Sequence, residues 1–150
     1  MRKKISVSRP DAAEVYSAST ARDSFAALDK RLGYSLQDAR PDEPPHLLWY
    51  RDIQNRPVEE LSDDDVTLAL EQGIHLPVLI PHAIQRVLAN PDAGALYEGQ
   101  LLSALVAACK MLRDGDSERE RVLRALVTLR PNVPPTIQAS LDEAIHELQR

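Results

Sequence analysis

The chain has 150 residues, 27% of them charged, with a formal net charge of −5 and a pI near 5.3. An acidic chain with no basic stripe repels phosphates, which excludes direct binding of nucleic acid. The single cysteine, Cys109, excludes an internal disulfide, and no apolar run is long enough for a secretion signal or membrane span, so a cytoplasmic protein is expected.

Aromatic residues make up only 4% of the chain, which favours helix over strand. Residues 1–17 open with Arg2, Lys3 and Lys4 and read as a mobile end. Ile5 and Val7 alternate with polar residues there and allow a short extended segment. Thr20 and Asp23 then stand in capping-box register ahead of Phe25, Leu28 and Leu32, whose spacing makes one apolar helix face, and Gly33 is a natural stop. Pro41, Pro44 and Pro45 predict an extended connector over residues 38–46. The LLWY run at 47–50 reads as a hook that docks into the core, although Trp49 and Tyr50 are also residue types enriched at interface hot spots.

Helix signals strengthen after Leu61. Ser62 is a good N-cap, Asp63, Asp64 and Asp65 suit the positive end of the helix dipole, Val66, Ala69 and Leu70 supply the apolar stripe, and Gly73 ends it. A second helix starts near Leu76 with Pro77 in its first turn. Pro81 removes the bond to the Pro77 carbonyl and is expected to bend the axis. Ile80, Ile84, Val87 and Leu88 give the expected inward face, and Asn90-Pro91 stops the helix. After a turn at 91–96, Glu98 to Leu112 forms the helix expected at the centre of the core, with Leu101, Leu102, Leu105, Ala108, Cys109 and Leu112 on its stripe. Ser117 caps a helix marked by Val122, Leu123, Leu126 and Val127, and Ile137, Leu141, Ile145 and Leu148 line the last one. The expected fold is all-α, a compact bundle of five to six helices forming a single domain over residues 1–150.

The charge is unevenly placed. Residues 1–56 carry a net +2 and residues 106–150 a net zero, whereas residues 57–105 carry eight acids and one base, Arg86. A core-forming block this lopsided presents an acidic face to something basic. Catalytic patterns are missing by comparison. His75 and His82 are seven apart with Asp63–Asp65 nearby in sequence, but Pro77 and Pro81 intervene and no His-Glu-x-x-His spacing supports a metal site. His46 and His146 stand alone, there is no phosphate loop or nucleophile elbow, and Cys109 reads as inert core packing. No enzyme and no cofactor are expected.

In residues 57–105 the order Glu59-Glu60-Leu61, the acids to Asp65, Gln72-Gly73-Ile74, Leu79-Ile80-Pro81, Asn90-Pro91 and Tyr97-Glu98-Gly99-Gln100-Leu101-Leu102 resembles the immunity proteins of contact-dependent growth inhibition (CDI) systems. The likeness covers about a third of the chain. Ala93, Gly94 and Ala95 stand where the family usually has Glu-Gly-Asp, and Gln100 stands where it often has an acid. Most matching positions are apolar or turn-forming and so speak for the fold more than for a shared binding site. The resemblance implies a cytoplasmic monomer that forms a heterodimer with the toxic C-terminal domain of an effector, commonly a nuclease, and blocks it. An acidic helical face complements a basic cleft, and affinity is expected from aromatic anchors. The candidate contact residues are Trp49, Tyr50 and Tyr97, with Glu59, Glu60, Asp63, Asp64, Glu71 and Glu98 around them. For some of Asp63–Asp65, helix capping alone is a sufficient explanation. Two other readings are a helical adaptor that pairs through an exposed apolar groove and a small metal-dependent hydrolase using His75 and His82.

Overall fold

The computed structural model describes residues 11–36, 38–94, 96–97, 99–111, 117–133 and 135–149. Ile5, Val7, Glu98 and Leu112 lie outside the described residues. Those described form eight α-helices, two single turns of 3-10 helix and no strand, with one isolated antiparallel bridge between Ser24 and Pro57. The all-α expectation holds. The helix count exceeds five to six because α1 (Ala12–Ser17) and α3 (Pro45–Ile53) escape the sequence reading. The chain divides into two compact units, Met1–Val58 and Glu59–Arg150.

In the first unit, the Asp11 carboxylate caps the short α1 by accepting from the Ala13 N–H at 3.1 Å. Helix α2 (Phe25–Leu32) buries Phe25, Leu28 and Leu32 and ends at Gly33 with φ of 84°, a left-handed conformation that glycine adopts without penalty. Its start differs from expectation. Thr20 and Asp23 do bond, the Thr20 N–H donating to Asp23 at 2.9 Å, but they close a turn ahead of the helix. Ser24 is the cap and accepts from the Ala27 N–H at 3.1 Å. Asp23 also takes Arg31 at 2.8 Å, and that bond holds its carboxyl below the usual range.

Helix α3 shortens the expected connector, because it already begins at Pro45. Pro44 is extended, as an N-cap should be, and Pro45 opens the first turn, where a missing N–H costs nothing. Residues 47–50 are therefore helical, and the buried side chain of α3 is Ile53. Trp49 and Tyr50 are half-buried, so the tryptophan does not plug a core. Tyr50 stacks on Phe25 with ring centroids 5.9 Å apart, and its hydroxyl donates to Asp29 at 2.6 Å. Burial, and then that bond, push the phenol pKa up. Arg51 binds both oxygens of Glu43 at 2.6 Å, which ties the turn before α3 to its last turn.

The second unit follows the sequence more closely. Helix α4 (Asp63–Gln72) has the expected caps: Ser62 accepts from the Asp65 N–H at 3.1 Å, and Gly73 is left-handed at φ of 70°. Helix α5 (Leu76–Ala89) runs unbroken through Pro81 and buries Ile80, Ile84 and Val87. Leu88 is 43% exposed and lies off the inward face. Helix α6 (Gln100–Cys109) begins two residues later than expected, after Gly99, and buries Leu101, Leu102, Leu105, Ala108 and Cys109. Helix α7 (Ser117–Leu129) buries Val122, Leu126 and Leu129 but leaves Val127 50% exposed. Helix α8 (Pro135–Leu148) buries Leu141, Ala144 and Leu148, with Ile145 half-buried. The most extensive packing is of α4 on α6 and of α5 on α7. With Leu105 only 1% exposed, α6 holds the central place expected of it.

One side chain ties the segment before α4 to α5. Arg86, in the last turn of α5, donates to the Leu61 carbonyl at 2.6 Å, the Glu59 carbonyl at 3.3 Å and the Asp63 carboxylate at 2.9 Å. Its Nε donates to Nε2 of His82, one turn back, at 2.7 Å. That contact requires Nε2 to carry a lone pair, so His82 is held without a proton there. Burial, and then the Arg86 charge, lower its pKa, against the weaker pull of Glu59 and Asp63.

Three outcomes follow from this packing. Leu105→Ala should cost about 2–5 kcal/mol in a denaturant titration, the range for emptying a buried leucine site. The Thr67 hydroxyl is buried on α4 without a hydrogen-bond partner among the described residues, so Thr67→Val should stabilise the protein by about 1 kcal/mol in the same assay. Because folding lowers the His82 pKa, the unfolded chain takes up this proton first as pH falls. The stability that neutral His82 contributes is thus complete above the ordinary imidazole value of 6.5 and is lost as pH drops below it. Urea midpoints at mildly alkaline and mildly acidic pH should show that loss, and His82→Gln, which keeps a neutral acceptor, should reduce it.

Candidate functional site

Five of the acidic residues singled out in the sequence lie at the surface. Glu59 and Glu60 belong to a 3-10 turn (Val58–Glu60), Asp63 and Asp64 to the first turn of α4, and Glu71 to its last, and each is exposed. Asp64 and Glu71 are seven residues apart, two helical turns, so they share one ridge opposite the buried face of Val66, Ala69 and Leu70. Asp63 differs from the others because Arg86 holds it. The only base within residues 57–105 is thus spent inside the unit, with its side chain 15% exposed, and the carboxylates around it keep their net negative field.

The helix directions decide which residues share an end of this unit. Arg86 near the C-terminus of α5 meets the start of α4, so α4 and α5 run in opposite senses. A Cβ on Gly73, just past α4, would lie 3.5 Å from the Met111 sulfur, just past α6, so those two helices finish together. The starts of α4 and α6, the end of α5 and the loop at 90–99 therefore gather at one end. Glu59, Glu60, Asp63, Asp64 and Tyr97 come together there. Glu71 sits about 10 Å further along the α4 axis, at 1.5 Å per residue.

That loop is closed by its own backbone. The Ala93 N–H donates to the Asn90 carbonyl at 3.1 Å, Gly99 to Asp92 at 3.2 Å and Leu101 to Ala93 at 3.0 Å. The Gln100 side chain accepts from the Leu96 N–H at 3.1 Å. Ala93 is buried at 5% exposure, whereas Tyr97 is 56% and Leu96 83% exposed. Glu98 lies outside the described residues. Leu96 was passed over in the sequence because it joins no helical stripe. A large apolar residue stranded in a turn of small residues is the signal that marks it.

Trp49 and Tyr50 belong to the first unit, with rings tilted by 56° and centroids 6.3 Å apart. Tyr50 is committed to Phe25 and Asp29, which makes its role there one of packing.

His75 occupies the left-handed position before α5 at φ of 44°, and His82 is engaged by Arg86. Among the described residues, no three His, Cys, Asp or Glu side chains converge to hold a metal ion. Cys109 is buried. A groove of about 240 Å³ between α6 and α8, lined by Leu102, Val106 and Ala144, is crossed by a Lys110–Glu147 ion pair of 2.6 Å and is not an apolar slot for another helix. No helix is long and apolar enough to cross a membrane among the described residues.

Comparison with known proteins agrees with the sequence resemblance. No curated protein matches the chain. A family model does, the one described as CDI immunity proteins, over residues 34–122. The match takes in the whole acidic block, Arg86 and the loop at 90–99, and extends beyond them into α3 and α7. As it covers more than half of the 150 residues, the chain belongs to the family of CDI immunity proteins.

Proposed function

We propose that this protein acts by binding alone: it captures the toxic C-terminal domain of its cognate CDI effector in the cytoplasm and neutralises it as a one-to-one complex, with no catalysis of its own. The proposed contact surface is the acidic end of the second unit, and the toxin is a nuclease whose phosphate-binding cleft is basic. The observation that carries this reading is the gathering of Glu59, Glu60, Asp63 and Asp64 at one end while the single base within residues 57–105, Arg86, is turned inward. A field of one sign accelerates encounter with a basic partner, and an immunity protein gains from intercepting its toxin before damage accumulates.

The test uses Glu60 and Glu71. Both are exposed, and neither takes part in the Arg86 contacts. Changing both to Lys should leave the circular dichroism and melting temperature unaltered while slowing association with the purified toxin domain. Association of the parent should fall as salt rises, since the screening length is about 8 Å at physiological ionic strength. In cells, the double variant should accumulate normally and protect less well. Equal protection and a salt-independent rate would remove the acidic surface from the mechanism.

A further inference from the structure

Resting on that reading, we propose that Leu96 and Tyr97 are the anchor of the complex, a pair of apolar side chains that enters a pocket on the toxin while the surrounding carboxylates meet basic residues at the pocket rim. Two independent observations carry this. First, the pair is the most exposed apolar feature of the acidic end, at 83% for Leu96 and 56% for Tyr97, in a unit whose other leucines are largely buried. Second, the loop that presents it is tied at its base by backbone hydrogen bonds. Backbone bonds from Ala93, Gly99 and Leu101 close it, and buried Ala93 fastens its base. Gly94 packs so tightly that a Cβ there would run into the Tyr97 carbonyl and Gln100. A loop whose ends are already tied together has less freedom to lose on binding, which favours an anchor there.

The occupant follows from the charge. Glu59, Glu60, Asp63 and Asp64 share this end with the pair. A second copy of the same face would bring like charges together, which costs affinity. A protein surface with an apolar pocket rimmed by Lys and Arg satisfies both components. Such an arrangement divides the work, with rim charges setting the association rate and the desolvated anchor setting how long the complex lasts.

That division makes the inference testable on the full-length protein. The probe is the purified, catalytically inactivated toxin domain of the cognate effector, and association and dissociation are read separately. The Leu96→Ala, Tyr97→Ala double variant should keep its circular dichroism and melting temperature, since both side chains are exposed. Its dissociation should quicken by roughly 30-fold or more, the level that marks an anchor. Its association rate should stay within about threefold of the parent with the same salt dependence. Tyr97→Phe, which retains the ring, should dissociate nearly as slowly as the parent. If the parent binds and the double variant leaves no faster, the anchor lies elsewhere and the acidic-surface reading survives. If the parent does not bind the toxin domain, both fall. If sedimentation shows a parent dimer that the double variant dissolves, the pair is a self-association surface and the inference is overturned.

Discussion

A single guanidinium organises the acidic end. Arg86 is surrounded by a block of eight acids, yet it spends its donors on two backbone carbonyls, one carboxylate and a neutral imidazole. The reason lies in the chain path. The turn of 3-10 helix and the cap of α4 bring the Glu59 and Leu61 carbonyls within reach of α5, and a part-buried carbonyl such as that of Leu61 is costly to leave without a donor. Arginine suits this task because its planar fork reaches several acceptors from one side chain and stays charged at any relevant pH. His82 completes the arrangement only while it remains an acceptor.

The same contacts shape the electrostatics. With the lone base drawn inward, the carboxylates at the surface are not neutralised by it. Helix physics accounts for part of the acid run, since the first turn of α4 favours negative charge, and Ser62 completes the cap. It does not account for Glu59 and Glu60, which precede the helix, or for Glu71, which sits where the dipole disfavours an acid. Helix capping therefore leaves those three unexplained.

Much of the fold was legible because its signals are local. Ser62 and Gly73 bracket α4 within a dozen residues, and the stripe of α6 needs only its own spacing to be read. The failures also have local causes. Thr20 and Asp23 have the chemistry of a capping box and form the bond, but four residues early, in a turn. Pro44 and Pro45 look like a break because proline forbids helix interiors, whereas here they sit where a helix begins. Leu88 and Val127 fit their stripes by spacing, but they sit at the stripe edge, and spacing alone does not say how wide the covering partner is. For the site, the acids were visible as residue types. Their company was not, because Arg86 binds carbonyls, which leave no mark in a sequence, and because the placing of Tyr97 at the same end as Asp63 depends on helix directions.

The choice of carbonyls has a consequence for how such a protein diversifies. Every residue type supplies the same carbonyl, so the Arg86 contacts at Glu59 and Leu61 are indifferent to what side chain position 59 carries. Position 60 takes no part in them. On the proposed reading, these outward positions can change to match a toxin without disturbing the bonds beneath them. Backbone-directed bonding separates what holds the scaffold together from what its outer face carries.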